Sequence, residues 1–367
     1  MIVNSLKINK YIEPKNIIWQ ELLGRPEVKK EDLSQLVKKV FDDVKLNGDE
    51  AIVKYTLLFD KVDLLDFKVP KEEVEKASKN VKPELKEAIT VAKANIEKFH
   101  SSQLDESQAV ETTKGVTCWQ ESRAIEKVGL YIPGGSAPLF STVLMLAVPA
   151  KLAGCKEIIL CTPPNKEGGI ADEILYAAEL VGVTQIFKVG GIQAIAGLTF
   201  GTDTIPKVYK IFGPGNQYVT AAKMEAFSCG VAIDMPAGPS ELLVVADESA
   251  IPKFVAADLL SQAEHGADSQ VICIATNNAL LEAIEQEVLG QLEQLHRKEI
   301  AIQALQNSKL IVINDKEKIV AFVNEYAPEH LILAVEDVEY FCKNTINAGS
   351  VFIGNYTPES AGDYASG

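Results

Sequence analysis

The feature that most restricts the fold of this chain is a series of short apolar runs in its C-terminal two thirds. From residue 128 onward these runs end in glycine or proline and alternate with helical stretches of about ten to fifteen residues. Such alternation is typical of parallel sheets with crossover helices, so we predict an α/β fold. The predicted strands are 128–132, 157–161, 185–189, 210–212, 241–246, 270–275, 309–314, 331–335 and 350–354.

These strands fall into two successive series, which predict two sheet domains. The segment MPAGPSE, residues 235–241, lies between the series, and its prolines and glycine are expected to turn and stiffen the chain there. Before the first series, a helical pattern covers about 31–99, with Asn47-Gly48 as a helix-end signal. A long helix with a polar face is predicted at about 278–306. A cleft between two domains is the expected ligand site.

Charge and hydropathy exclude several classes of function. The formal net charge of -15 repels nucleic acid and anionic membranes, and no Lys/Arg-rich stripe offsets it. The longest apolar run, 143–150, is much shorter than the roughly 20 residues that span a bilayer. The six cysteines lie far apart with no CxxC pair, which is typical of a reducing compartment. We therefore expect a cytoplasmic protein that binds neither nucleic acid nor membrane.

Three glycine-rich loops each follow a predicted strand and precede a helix. They are IPGGSAP (132–138), VGGIQAIAG (189–197) and FGPGN (212–216). Backbone N–H groups and a helix N-terminus in such loops can hold phosphates. No loop has the GxGxxG pattern, and each alone is equally typical of a tight turn between strand and helix. Three of them at the same edge of one sheet favour a nucleotide-binding site.

The segment LLSQAEHGADSQV, 259–271, contains one of only four histidines in the chain. A helix is predicted from Pro252 to a stop at Gly266, so that Gln262 and His265 project from one face of its last turn. An amide oxygen and an imidazole nitrogen at this spacing can both reach one zinc ion. The alternative is a surface histidine near a helix end.

Two further clusters contain acidic residues. Glu329 and His330 stand at the start of a predicted strand, and such a pair can serve as general base and acid, although a solvated loop pair is the alternative. Glu359 and Asp363 lie among small residues in TPESAGDYASG, 357–367. Because acidic loops are common, this last cluster alone indicates little.

Taken together, seven segments resemble the histidinol dehydrogenase family. They occur in order across residues 129–367 and are GLYIPGGSAP, GGIQAIAG, KIFGPGN, MPAGPSE, LLSQAEHG, YAPEHL and TPESAGDYASG. The resemblance implies two incomplete Rossmann-like domains, akin to aldehyde dehydrogenases, after an N-terminal helical extension at 1–30. One domain would join 31–128 to 241–367 and carry the zinc and catalytic residues. The other, 129–240, would carry the NAD loops.

The resemblance also implies an activity. The expected enzyme is a homodimer with one zinc ion per subunit that oxidises L-histidinol through L-histidinaldehyde to L-histidine, the last two steps of histidine biosynthesis, using two NAD+. The implied zinc ligands are Gln262, His265 and Asp363, and the implied catalytic pair is Glu329 and His330. The substrate would contact Ser240, Gln262, His265, His330 and Asp363, and NAD would contact Tyr131, Gln193 and Asn216.

The implied chemistry gives each group a separate task. Zinc binds imidazole and amine nitrogens well, so it would hold and orient histidinol rather than form a hydroxide. His330 would take the hydroxyl proton in the first oxidation, and Glu329 would activate water for the second. The family's pattern continues beyond Gly367 with a further histidine and a tail that supplies a glutamate and a fourth zinc ligand across the dimer. We therefore expect a truncated chain that folds but is weakly active.

Other functions remain as alternatives. The same zinc and NAD apparatus could oxidise another small alcohol, such as a sulfonated diol. A non-catalytic zinc- or nucleotide-binding module is a second alternative, which an intact Glu329-His330 pair disfavours. A zinc hydrolase is a third, although the glycine-rich loops would then have no role. Cys118 and Cys155 could be imagined as thiohemiacetal nucleophiles, but neither has a base nearby in sequence, and we expect them to be structural.

Overall fold

A computed structural model describes residues 6–26, 33–64, 66–104, 108–134, 138–236 and 239–366, without the side chains of Asn16, Asp363 and Tyr364. The strands are β1 (Asn9–Ile12), β2 (Val110–Thr113), β3 (Val116–Cys118), β4 (Lys127–Tyr131), β5 (Glu157–Thr162), β6 (Gln185–Lys188), β7 (Lys210–Phe212), β8 (Ala232–Ile233), β9 (Glu241–Ala246), β10 (Gln270–Ala275), β11 (Lys309–Val312), β12 (His330–Ala334) and β13 (Ser350–Ile353).

The α-helices are α1 (Trp19–Leu22), α2 (Ser34–Tyr55), α3 (Lys71–Asn80), α4 (Pro83–Ser101), α5 (Phe140–Leu152), α6 (Asp172–Val181), α7 (Gly191–Phe200), α8 (Gln217–Ser228), α9 (Pro252–Ala263), α10 (Asn278–Leu292), α11 (Lys298–Gln306), α12 (Lys316–Tyr326), α13 (Val338–Asn344) and α14 (Glu359–Ala361). Asn16–Ile18 forms a 3-10 turn, and Thr56–Asp60 and Gly362–Ser366 are π-helical. No helix in the described part of the chain is both long and apolar enough to cross a membrane.

The chain divides into two compact units. Unit 1 contains Met1–Lys29 and Gly238–Asp363, and unit 2 contains Lys30–Ala237 and Tyr364–Gly367. This division differs from the predicted grouping, which placed 31–128 with 241–367 and left 1–30 as a separate helical extension. An amphipathic helix does not specify which sheet it will cover, so the sequence could not assign the helices of 31–128. The boundary falls at 237–238, inside the predicted MPAGPSE junction, where both residues lie outside the described ranges.

Unit 2 is built on a parallel five-stranded sheet with the strand order β6-β5-β4-β7-β8. Successive strands run outward on one side of β4 and then on the other, as in a Rossmann-type half. Apolar residues of α2, α7 and α8 cover one face of the sheet, and those of α4, α5 and α6 cover the other. The strand order reverses between β4 and β7, so the loops that follow these two strands flank the expected ligand crevice.

Unit 1 repeats this order, with one strand added. Its parallel six-stranded sheet has the order β1-β11-β10-β9-β12-β13. Alternate residues of β9 face opposite sides: Leu242 and Val244 pack with α9, α10 and α11, whereas Leu243 and Val245 pack with α12 and Trp19. The predicted α/β fold with two Rossmann-like sheets is therefore confirmed.

All nine predicted strands are present, with ends that differ by at most two residues. The predicted helix at 278–306 is two helices, α10 and α11, separated at residues 293–297. The helix-end signal at Asn47-Gly48 marks a real break, because Gly48 inside α2 has a φ of 51°. Strands β1, β2, β3 and β8 were not predicted.

Candidate active site

The predicted catalytic and substrate residues of unit 1 lie at one edge of its sheet. His330 is the first residue of β12, and Glu241, next to Ser240, is the first residue of β9. Because all strands are parallel, these starting residues share the amino edge of the sheet. Helix α9 runs back across the sheet and ends just before β10 begins, which brings Gln262 to the same edge.

The main chain of Glu241 holds both members of the predicted catalytic pair. Its N–H donates to Oε2 of Glu329 at 3.1 Å, and its carbonyl oxygen lies 3.1 Å from Nδ1 of His330. Oε2 of Glu329 is also 3.8 Å from Nδ1 of His330. One residue at the start of β9 therefore fixes the carboxylate and the imidazole relative to each other.

This arrangement indicates which nitrogen of the neutral imidazole carries the hydrogen. A carbonyl oxygen can only accept a hydrogen bond, so Nδ1 of His330 is the nitrogen that carries the hydrogen. The basic lone pair of the neutral ring is then on Nε2. The His330 side chain is 9% exposed, whereas that of Glu329 is 50% exposed. The histidine is thus held in a fixed environment, and the glutamate has access to water.

The predicted substrate residue Ser240 lies beside this pair. It is partly buried, and its carbonyl oxygen accepts the N–H of Gln270 at 3.2 Å. This bond anchors the main chain just before Glu241. On the other side, Gly349 packs so closely that a Cβ there would lie 2.6 Å from the carbonyl oxygen of Glu329. Any larger residue would displace the turn that carries Glu329.

The predicted zinc ligands at the end of α9 differ in their surroundings. The helix ends at Ala263, so the prediction that Gln262 and His265 share one face of its last turn is wrong. His265 lies beyond the helix, is exposed, and donates its main-chain N–H to the carbonyl oxygen of Gln262 at 3.3 Å. Gln262 is fully buried, and in the described part of the chain neither Oε1 nor Nε2 has a hydrogen-bond partner.

A buried amide with both polar atoms unpaired is costly, by about 1–3 kcal/mol for each group left unsatisfied. Such groups in a folded protein call for an explanation, and an ion or ligand is one of the usual ones. The environment of Gln262 therefore fits a ligand-binding role. Among the described side chains, no group of three or more His, Cys, Asp and Glu could hold a metal. The predicted set includes an amide, Gln262, and a side chain that is not described, that of Asp363.

Glu359 is a buried carboxylate in the acidic cluster that alone indicates little at the level of sequence. It is 1% exposed, and its Oε2 accepts from the Ser261 hydroxyl at 3.2 Å. Its main-chain N–H bonds the carboxylate of Asp258, whose pKa is nevertheless raised to about 6 because burial disfavours the charge. The start of α14 is therefore fixed against the last turns of α9, next to Gln262. Burial of a single glutamate in a polar loop has no local sequence signal.

Phe352 connects the two parts of this edge. Its ring centroid lies 6.1 Å from that of His330. On its other side Gly362 packs so closely that a Cβ there would lie 2.1 Å from Cε1 of Phe352. The chain at Glu359–Gly362 thus lies beside both α9 and the ring that neighbours His330, so the three predicted segments of unit 1 occupy one region.

Unit 2 places the predicted NAD residues at the carboxyl edge of its own sheet. Tyr131 ends β4, and its hydroxyl accepts the N–H of Gly191 at 3.1 Å, which ties the loop before α7 to β4. Burial raises the pKa of Tyr131 to about 12, so it remains a neutral phenol. Gln193 is fully buried in the first turn of α7, and its Nε2 donates to Asp60 at 3.1 Å.

Close backbone approaches shape the glycine loops of unit 2. A Cβ at Gly134 or at Gly190 would lie 2.4 Å from a carbon of Pro163, so both loops pack on this proline. Gly213 has a φ of 130°, and a Cβ there would lie 2.1 Å from the carbonyl oxygen of Tyr131. Residues 135–137 of the first loop lie outside the described ranges.

Asn216 has a structural role that can be seen directly. Its side-chain oxygen accepts the N–H groups of Tyr218 and Val219 at 3.0 and 3.2 Å and caps α8. The cap uses the side-chain oxygen and not the amide nitrogen. Cys155, considered as a nucleophile, is a poor one, because burial raises the pKa of its thiol.

Comparison with known proteins gives a consistent result. The family model for histidinol dehydrogenase matches residues 23–367. A histidinol dehydrogenase from Bacteroides thetaiotaomicron is 58% identical over 362 residues, which are 99% of this chain and 84% of that protein. The histidinol dehydrogenase of Escherichia coli K12 is 52% identical over 351 residues, 95% of this chain and 80% of that protein.

A solved structure agrees with these relatives. The crystal structure of histidinol dehydrogenase from Elizabethkingia anophelis superposes with a TM-score of 0.96 at 57% sequence identity, covering 98% of this chain and 83% of that one. These matches do not favour the alternatives of a sulfonated-diol dehydrogenase, a non-catalytic module or a zinc hydrolase.

Proposed function

We propose that Glu329 and His330 perform the proton transfers in the oxidation of L-histidinol. The chain belongs to the histidinol dehydrogenase family. The NAD-dependent members of this family oxidise L-histidinol through L-histidinaldehyde to L-histidine in histidine biosynthesis. The observation that carries the proposal is the pair of hydrogen bonds in which the main-chain N–H of Glu241 donates to Glu329 and its carbonyl oxygen accepts from His330. They hold an imidazole and a carboxylate in a fixed arrangement at one sheet edge, as general acid–base chemistry requires.

His330 is the base for the alcohol. With its hydrogen on Nδ1, the ring presents Nε2 to accept the proton of the substrate hydroxyl as the hydride leaves the carbinol carbon. Once that proton has passed to solvent, the same atom accepts the second hydroxyl proton when the aldehyde hydrate is oxidised. Burial of the ring, 7% exposed as a whole residue, keeps it in one orientation for both transfers.

Glu329 activates water for the second oxidation. Its carboxylate is half exposed, so a water molecule can reach it, and the N–H of Glu241 holds one of its oxygens. Removal of a proton from that water lets its oxygen add to the aldehyde carbon, which gives the hydrate that the second NAD+ oxidises. The two residues thus divide the reaction between them.

Gln262, His265 and Asp363 would hold a zinc ion. The unpaired, buried amide of Gln262 supports this assignment, since an ion would satisfy an oxygen that the described residues leave without a partner. When bound, the zinc ion supplies a positive charge that holds the imidazole and amino nitrogens of the substrate. Ser240 and His330 would contact the same substrate from the strand starts.

The loops of unit 2 would bind NAD, which accepts the hydride in each oxidation. Support comes from the position of Tyr131 and Gln193 at the carboxyl edge beside the strand-order reversal, and of Asn216 at the start of α8. Helices α7 and α8 begin at these loops, so their N-termini offer N–H groups to phosphate. Tyr131 and Gln193 are held in place by bonds to Gly191 and Asp60.

We further propose that the protein works as a homodimer in the cytoplasm. Gln262, His265 and Asp363 are three protein ligands, and a second subunit would be a source of the fourth ligand that a tetrahedral zinc ion takes. The six free cysteines of the chain are typical of a reducing compartment. Sedimentation with and without zinc tests the dimer directly.

The experiment that tests the catalytic assignment separates the two oxidations. Glu329→Gln should nearly abolish NADH formation from L-histidinaldehyde while retaining a larger share of the first oxidation of L-histidinol. His330→Gln should lower both steps, by about 10²–10⁴-fold. Stopped-flow measurement of NADH from each substrate gives the two rates. Equal losses in both steps for Glu329→Gln would contradict the proposed division.

A further inference from the structure

The N-terminal segment of unit 1 places the side chain of Arg25 at the amino edge of the sheet. Arg25 forms a two-armed ion pair with Glu241: Nη2 donates to Oε2 at 2.9 Å, and Nε donates to Oε1. Glu241 is only 9% exposed, and its carboxylate raises the pKa of Arg25 further. A bidentate arginine–carboxylate pair fixes direction as well as distance.

Arg25 also holds the chain that leads into the catalytic pair. Its Nη2 donates to the carbonyl oxygens of Tyr326 at 2.8 Å and Ala327 at 3.4 Å. Its guanidinium carbon lies 4.7 Å from the centre of the Tyr326 ring. Tyr326 and Ala327 end α12, and Glu329 follows two residues later. The same guanidinium therefore contacts the two chain segments that meet at Glu329 and His330.

The turn held by Arg25 is conformationally strained. Ala327 has φ 51° and ψ 66°, in the left-handed region that residues with a Cβ rarely adopt. Such a conformation persists only where surrounding contacts enforce it. The bonds from Arg25 to the carbonyls of Tyr326 and Ala327 are contacts of this kind. Without these bonds, we expect the turn before Pro328 to relax out of the left-handed conformation.

Further bonds anchor the segment that carries Arg25. The carbonyl oxygen of Gly24 accepts from Nε2 of Gln270 at 3.2 Å and from Nζ of Lys309 at 3.1 Å. Gln270 in turn accepts the hydroxyl of Tyr326 at 2.9 Å. Arg25 is therefore presented from a fixed main chain rather than from a free terminus, which lowers the entropy lost in forming its ion pair.

We propose that Arg25 and Glu241 are positioning residues for the oxidation of histidinol. Arg25 fixes the carboxylate of Glu241, and Glu241 fixes Glu329 and the Nδ1 tautomer of His330 through its main chain. Neither residue needs to touch the substrate. The inference rests on the proposed catalytic role of Glu329 and His330, and its test can be separated from the test of that role.

The test compares Arg25→Met and Arg25→Lys with a matched control. Arg25→Met should lower kcat for histidinol by about 10–100-fold, because small displacements of catalytic groups have effects of this size. Its KM for NAD should change less than about twofold, because loss of Arg25 is expected to displace only the catalytic groups and not the loops that bind NAD. Arg25→Lys keeps the positive charge but lacks the planar guanidinium that bonds both carboxylate oxygens of Glu241. This variant should therefore retain more activity than Arg25→Met does. The control Lys316→Met breaks an exposed pair with Asp337 at the other end of α12 and should leave kcat unchanged.

A second measurement does not depend on activity. The chain has four histidines, so the imidazole nitrogens of His330 can be assigned in ¹⁵N-histidine spectra by comparison with His330→Gln. The wild type should show His330 with hydrogen on Nδ1, and both Arg25 variants should shift these signals alone. An unchanged His330 spectrum in both variants overturns the positioning role. A changed spectrum with unchanged kcat supports the positioning role and overturns the catalytic role of His330.

Discussion

Gln193 donates its Nε2 amide hydrogen to Oδ2 of Asp60 at 3.1 Å, and this bond sets the direction of an otherwise isolated amide. Within the described residues, Oε1 of Gln193 is buried without a hydrogen-bond partner. Burial raises the pKa of Asp60 from 3.8 to about 6, and the bond from Gln193 only partly opposes that rise. The residues around Gln193 therefore include a carboxylate that is costly to ionise.

This pKa predicts a pH dependence of stability. Between pH 3.8 and about 6 the folded state binds more protons at Asp60 than the unfolded state does, so the free energy of unfolding falls as the pH rises. Asp60→Asn removes the charge and should raise the free energy of unfolding at pH 7.5 by about 1–3 kcal/mol. The gain should disappear near pH 4. Urea unfolding followed across this range measures it, and Asp63→Asn, at an exposed position, is the control.

Because the buried amide of Gln262 is unpaired, we expect its replacement to raise the free energy of unfolding without metal and to lower the affinity for zinc. Gln262→Met keeps the volume but removes two unpaired polar atoms, so without metal the free energy of unfolding should rise by about 1–3 kcal/mol. Zinc affinity should fall at least about tenfold, as when one ligand is lost. Unfolding in a chelator and zinc competition assays give the two values. The control Gln291→Met should destabilise, since Gln291 bonds the carbonyl of Lys253 at 2.9 Å; a destabilised Gln262→Met would contradict the assignment.

The left-handed conformation of Ala327 predicts that glycine at this position stabilises the folded protein. Glycine adopts the left-handed conformation without the cost to a Cβ, so Ala327→Gly should raise the free energy of unfolding by about 0.5–1 kcal/mol. Ala321→Gly, at an exposed position inside α12, should lower it by about 1 kcal/mol. Thermal and urea unfolding compare the two. A loss of stability in Ala327→Gly would mean that the turn is not strained.

Asn216 caps α8, and substitution can separate this role from the proposed contact with NAD. Asn216→Ala removes the cap of α8 and should cost about 1 kcal/mol of stability, together with weaker NAD binding. Asn216→Ser restores a capping oxygen but not the amide nitrogen, so stability should recover while NAD affinity stays low. Calorimetric titration with NAD measures the affinity. If serine restores both properties, Asn216 only caps the helix.

The strand pattern predicted the sheets well because buried parallel strands are apolar along their whole length. The six residues of β9 are all buried, and the prediction of 241–246 agrees at both ends. Strand β1 is different: it lies at a sheet edge, and three residues of NKYI are exposed. The hairpin of β2 and β3 is exposed throughout. Neither contains the apolar run that identifies a strand in sequence.

The candidate site was predicted residue by residue only where the family motifs cover it. Glu329, His330 and Gln262 lie in such motifs, and the structure places them at one sheet edge. Arg25 and Glu241 are 216 residues apart in the chain, and no local pattern connects a surface-type arginine to a strand start. The split of the predicted 278–306 helix was missed for a simpler reason: residues 293–297 contain no glycine or proline.

The parallel pairing of β1 with β11 joins Asn9 to Lys309. During translation, at about 5–20 residues per second, the partner of β1 emerges from the ribosome long after β1 itself. The N-terminal segment, which includes Arg25, therefore remains undocked until β11 has been synthesised. A chain that has not yet reached β11 would already contain the glycine loops of unit 2 but would lack the strand on which β1 docks.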